Sequence, residues 1–103
     1  MELTLKERIL IQQIIPQKGN MLEMMTVKSI AKKIEVTEEE SKKFEITQKG
    51  NGIVWNKKGT EAKFKIDFSE VELKVLKDAV TDLNNKKEIT LDNLELCGKI
   101  EKA

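Results

Sequence analysis

Histidine and tyrosine are absent from this chain of 103 residues, and its only arginine is Arg8. Each absence removes a class of chemistry. Without imidazole the chain lacks the ordinary general base near neutral pH and the commonest metal ligand. A serine or cysteine nucleophile then has no usual activator. One guanidinium leaves little scope for bidentate recognition of phosphate or guanine. The single cysteine, Cys97, has no partner for an internal disulfide, which predicts a reducing compartment. Long apolar runs are missing too, and none approaches the roughly 20 residues of a membrane span. The opening stretch, Met1 to Pro16, is interrupted by Glu2, Lys6, Glu7 and Arg8, where a secretory leader needs an unbroken apolar core. Together these features predict a cytoplasmic protein with no membrane association, no cofactor, no metal site and no catalytic residues.

What is present is charge, with enough apolar content for a core. Charged residues make up 36% and hydrophobic residues 39%, a balance that needs neither disulfide nor metal. The length fits a single domain over residues 1–103. The charge is uneven. Residues 1–41 carry a balance of −1, residues 42–65 of +5 and residues 66–103 of −3, so a basic middle lies beside an acidic C-terminal part.

Four capping signatures mark helix starts: Thr4 with Glu7, Asn20 with Glu23, Thr37 with Glu40 and Ser69 with Glu72. The first helix is expected over Leu5 to Ile15, stopped by Pro16. The second is expected over about Met21 to Glu35, with Val27, Ile30, Ala31 and Ile34 on one face, and a short third helix after Thr37. The period then changes. Phe44 and Ile46, then Ile53 to Trp55, flank Lys49-Gly50-Asn51-Gly52, where Asn51-Gly52 signals a type I′ hairpin turn. After a turn at Lys58-Gly59, Ala62, Phe64, Ile66 and Phe68 alternate with polar residues. The helical period returns from Ser69 to about Asn85, and a last short helix should run from Thr90 or Leu91 to Ile100. The expected fold class is α+β: three N-terminal helices, a three-stranded antiparallel meander, then two C-terminal helices.

The segment Ser29 to Glu40 resembles a helix-turn-helix. Ile30, Ala31, Ile34, Val36 and Thr37 stand where that family keeps its apolar residues, its small alanine and the cap of its second helix. A basic hairpin after the third helix would take the place of the wing in winged-helix proteins. The pattern is broken at Glu35, where the turn usually has Gly, and at Ser41, usually an inward apolar residue. It is broken most informatively at Glu38-Glu39-Glu40, which open the helix that would face DNA. Carboxylates suit a helix N-terminus but oppose phosphates. The layout also resembles small bacteriophage and prophage proteins, through Leu5-Lys6-Glu7-Arg8-Ile9, the Pro16 to Asn20 turn, Thr37 to Glu40, Val54-Trp55-Asn56 and Ile89-Thr90-Leu91. That resemblance implies a host-cytoplasm location and no known activity.

Two surfaces stand out. The acidic helix start, Glu38, Glu39 and Glu40, together with any exposed part of Met21, Met24 and Met25, is the expected contact surface for another protein. Core packing is the favoured reading of the methionines themselves, although Met also serves adaptable interfaces. The lysines Lys42, Lys43, Lys49, Lys57, Lys58, Lys63 and Lys65 provide the alternative, a nucleic-acid grip on phosphate. Solvated strand and helix faces explain them as well. Trp55 is expected in the core. Glu61-x-Lys63 is similar to the carboxylate–lysine pair of metal-dependent nucleases, but the first aspartate, Asp67, comes after it. Asp78 and Asp82 share a helix face without further oxygen ligands, and Cys97 reads as a small apolar residue. The expected function is a non-enzymatic protein-interaction module on a helix-turn-helix-like scaffold. A winged-helix DNA-binding protein is the alternative, and a hydrolase working through carboxylates alone is a third class.

Overall fold

The computed structural model describes all 103 residues, as six helices and four short strands. Strand β1 (Glu2–Thr4) leads directly into helix α1 (Leu5–Ile14), which is followed by α2 (Met21–Ile34) and α3 (Glu38–Lys43). A hairpin of β2 (Thr47–Lys49) and β3 (Gly52–Val54) comes next. Helix α4 (Lys57–Glu61), strand β4 (Lys63–Lys65) and helices α5 (Glu70–Asn85) and α6 (Leu94–Lys102) complete the order. The class is α+β.

The caps explain where the helices begin. At α1, α3 and α5 the hydroxyls of Thr4, Thr37 and Ser69 accept the N–H of the third helical residue. The carboxylates of Glu7, Glu40 and Glu72 in turn accept the cap's own N–H, so two orphan donors are satisfied at each start. Asn20 accepts from the Glu23 N–H at α2. Helix α1 stops because Ile15, before Pro16, is extended. Helices α3 and α5 end in Schellman motifs, with Ile46 N–H donating to Ser41 O and Glu88 N–H to Leu83 O. The left-handed position in each is filled by a residue other than glycine, Glu45 (φ 50°) and Lys87 (φ 58°).

The strands depart from the expected meander. β2 and β3 do form an antiparallel hairpin, but β4 pairs with β1, so that Leu3 faces Phe64. Alternation in residues 62–68 reveals a one-faced strand without naming its neighbour. The hairpin is exposed along its whole length, while Leu3 is fully buried and offers Phe64 an apolar partner. The expected turn at Lys58-Gly59 is instead helix α4, whose cap Asn56 accepts the Gly59 N–H at 3.0 Å. The hairpin turn also shifts by one residue. Lys49 pairs with Gly52, so Gly50 and Asn51 are the central pair. Only Gly50 has positive φ (62°), which suits a II′ rather than a I′ turn.

The core draws on both ends of the chain: Leu3 and Ile11 meet Val27, Ile30 and Ile34 of α2, Leu76 and Val80 of α5, and Leu96, Cys97 and Ile100 of α6. Each fully buried Leu or Ile contributes roughly 2 kcal/mol. Around this core the capping glutamates tie one helix to another. Glu7 at the start of α1 accepts Lys99 of α6 at 2.7 Å, and Glu72 at the start of α5 accepts Lys33 of α2 at 2.6 Å. Glu40 at the start of α3 accepts Arg8 of α1 at 2.7 Å.

Candidate protein-contact surface

Arg8 determines what the acidic helix start can offer. Its side chain is buried and stacks over the Phe64 ring at 4.4 Å. It donates to the carbonyls of Ile34 and Glu35, at the C-terminal end of α2, and to both carboxylate oxygens of Glu40. The chain's one guanidinium is thus an internal pin that fixes α3 against the end of α2. The Arg8 hydrogen bonds hold the Glu40 carboxyl below its usual range, with burial opposing and Thr37 adding to the shift. Of the three glutamates expected at a contact surface, Glu40 is therefore engaged inside the molecule. Glu38 and Glu39 remain exposed.

The methionine cluster lies mostly outside the core. Met24 packs half-buried against it. Met21, Leu22 and Met25 are 81%, 71% and 64% exposed. The buried stripe of α2, Val27, Ile30 and Ile34, occupies the opposite side of the helix, and at 100° per residue no rotation buries both faces. Val71 of α5 is 58% exposed beside this ridge.

The ridge borders a groove. Ile14, Pro16, Leu22, Thr26, Val71, Val75, Asp78, Asp82 and Leu83 are among the residues lining a depression of about 580 Å³. A second depression of about 370 Å³ shares Leu22, Thr26 and Val71 with it and continues to Ser29, Lys33 and Glu72. Together they run the length of the α2/α5 contact. The two helices are antiparallel, since Glu72 near the start of α5 meets Ser29 and Lys33 late in α2, whereas Leu83 lines the groove with Asn20. Leu91 and Leu94 are also exposed, but Leu91 borders a pocket of only about 170 Å³.

At the floor of the contact sits Glu72, 3% exposed. Burial opposes its ionisation. Hydrogen bonds from Lys33, Ser29 and the Ser69 N–H more than offset this and bring its pKa to about 2. Glu7 is comparably buried, and its Oε2 has no hydrogen-bond partner. No three His, Cys, Asp or Glu side chains converge to hold a metal ion. Cys97 is buried, which pushes its thiol upward, with Glu101 adding to the shift.

The lysines divide among separate elements. Lys42 and Lys43 end α3, Lys49 is in the hairpin, Lys57 and Lys58 are on α4, and Lys63 and Lys65 are on β4; all are exposed. Lys57 lies 3.9 Å from Glu61 and Lys63 lies 3.8 Å from Glu2. The hairpin and β4 belong to different sheets. Trp55 is half-buried against Gly59, where an added Cβ would come within 2.7 Å of its ring. No helix is long and apolar enough to cross a membrane. No protein-family model, curated protein or solved structure matches the chain.

Proposed function

We propose that this chain is a non-enzymatic protein-interaction module, of bacteriophage type and built on a helix-turn-helix-like scaffold, that receives another protein chain on its α2/α5 face. The observation that carries this reading is the continuity of an exposed apolar ridge, Met21, Leu22 and Met25, with the groove lined by Val71, Val75 and Leu83. Contiguous exposed apolar surface, edged by polar groups, is the usual mark of a contact site, and flexible thioethers adapt to the partner they meet. Glu38 and Glu39, exposed at the start of α3, follow the other end of α2 and offer a separate acidic contact. The helix-turn-helix-like frame comprises α2, the turn from Glu35 to Thr37, and α3, and it works in the cytoplasm. Affinity capture with the native chain and with Leu22→Ser/Met25→Ser tests the reading. A protein held by the first and lost by the second is expected. Recovery of the same proteins by both would defeat it.

A second reading, a winged-helix nucleic-acid binder, is favoured by Lys42, Lys49, Lys58 and Lys65, which are exposed and outside every ion pair. A gel shift on mixed duplex DNA separates the two readings. Binding that weakens steeply with salt and is lost on changing Lys49 and Lys58 to glutamate would favour the second.

A further inference from the structure

Resting on the reading of the α2/α5 face as a docking surface, we infer that its occupant is a cationic amphipathic helix of another protein. It lies along the groove with its basic residues over the start of α2. Backbone chemistry selects a helix. Both walls of the groove are helices, whose backbone groups are bonded internally, so an extended peptide finds no ladder to join. A helix brings its own hydrogen bonds and needs only side-chain contact. The groove follows α5 from Val71 to Leu83, about 18 Å at the helical rise, or roughly three turns of an occupant.

Charge selects the chemistry of that helix. Three carboxylates line the main depression, those of Glu23, Asp78 and Asp82, against one ammonium, that of Lys74. The acids are gathered at one end. Because the two helices are antiparallel, Asp78 and Asp82, in the second half of α5, lie toward the α2 start that carries Glu23. Glu23 and Asp78 take part in no salt bridge, and Asp82 has only the exposed Lys86 at 3.0 Å. The other end is already neutralised, since Lys33 lies 2.6 Å from Glu72. Lys28 and Lys32 of α2 line the depression against α1 instead, so the chain leaves the acidic end of the groove unmet. Between the ends the contact is apolar, through Leu22, Val75 and Ala79. A helix with aliphatic residues on one side and Lys or Arg toward one end satisfies both parts. An acidic helix would set its carboxylates against Glu23 and Asp78, and like charges brought together suppress a wrong partner.

NMR titration of the intact, isotope-labelled chain with two model peptides tests this. Both are leucine–alanine peptides of about 14 residues, long enough to be helical when bound. One carries lysines toward one end and the other carries glutamates in the same places. The lysine peptide is expected to bind with a Kd of about 10–100 µM, to weaken as salt is raised, and to shift the amides of Thr26, Val75 and Ala79. The glutamate peptide should bind at least about tenfold more weakly. Glu23→Lys/Asp78→Lys, at two exposed positions, should reverse that preference. Leu22→Ser/Met25→Ser should abolish binding of both peptides, and circular dichroism should be unchanged in either variant. Equal affinity for the two peptides overturns the inference, as does a preference that survives the charge reversal. So does a lysine peptide that fails to bind at millimolar concentration. If that peptide fails while affinity capture still recovers a protein through Leu22 and Met25, the docking surface stands and its cationic occupant is lost.

Discussion

Glu72 shows how much a single side chain does in this fold. Its carboxylate accepts the Ser69 N–H, the Ser29 hydroxyl and the Lys33 ammonium, so the ionised form belongs to the folded chain. Its pKa falls from 4.5 to about 2 on folding. The unfolded chain therefore takes up the proton first as the pH drops, and acid favours unfolding. The contribution is complete above about pH 5, declines through the interval down to about pH 2, and amounts to about 3 kcal/mol. Chemical denaturation at successive pH values should show that slope, and Glu72→Gln should flatten it while lowering stability at neutral pH. Arg8 is the corresponding case on the cationic side. Arg8→Met keeps the length of the side chain but deprives Glu40 and two carbonyls of their donor. A loss of about 2–3 kcal/mol in urea unfolding is expected. Arg8→Lys should recover only part of it, because an ammonium cannot reproduce the planar fork.

Among the elements, helix boundaries are set by short-range chemistry, and a local test reaches them. Lys87 occupies the left-handed position that closes α5, where a Cβ is strained. Lys87→Gly should raise stability by about 1 kcal/mol in thermal or urea unfolding. The same locality explains what the sequence revealed. Thr4, Asn20, Thr37 and Ser69 act on residues three positions away, and each of them caps a helix. Strand partners are chosen over long separations. Nothing within residues 62–68 tells that Leu3, some sixty residues earlier, will lie opposite Phe64. Helix α4 was hidden for a related reason: Lys58-Gly59 reads as a turn, yet Gly59 lies in a helix capped by Asn56 and is glycine because Trp55 occupies the space a Cβ would need. The α2 face was half legible. Apolar spacing on α2 identified the buried stripe through Val27, Ile30 and Ile34, but Met21 and Met25 have core-like chemistry whichever way they point. Arg8 could have been suspected from its isolation among lysines. Its partner Glu40 could not be singled out from two adjacent glutamates without the turn that aligns it.

Across the whole molecule, stability is unevenly spread. Most buried residues come from β1, α1, α2, α5 and α6, whereas the β2/β3 hairpin contains none. Segments with few apolar contacts open without the rest, so hydrogen exchange should be fastest in residues 47–54 and slowest around Ile30, Leu76 and Ile100. Gln48 and Ile53 should lose protection at far lower denaturant than Leu76. If all three exchanged together, the hairpin would be as firmly held as the core. The sulfurs of the α2 ridge add a chemical sensitivity of a different kind. Met21 and Met25 are open to dissolved peroxide, and conversion to the sulfoxide turns a compliant oily side chain into a polar one. A chain with neither a disulfide nor a titratable imidazole would still respond to its surroundings in this way. Oxidative stress would make the face water-loving and detach whatever rests on it, and sulfoxide reduction would restore it.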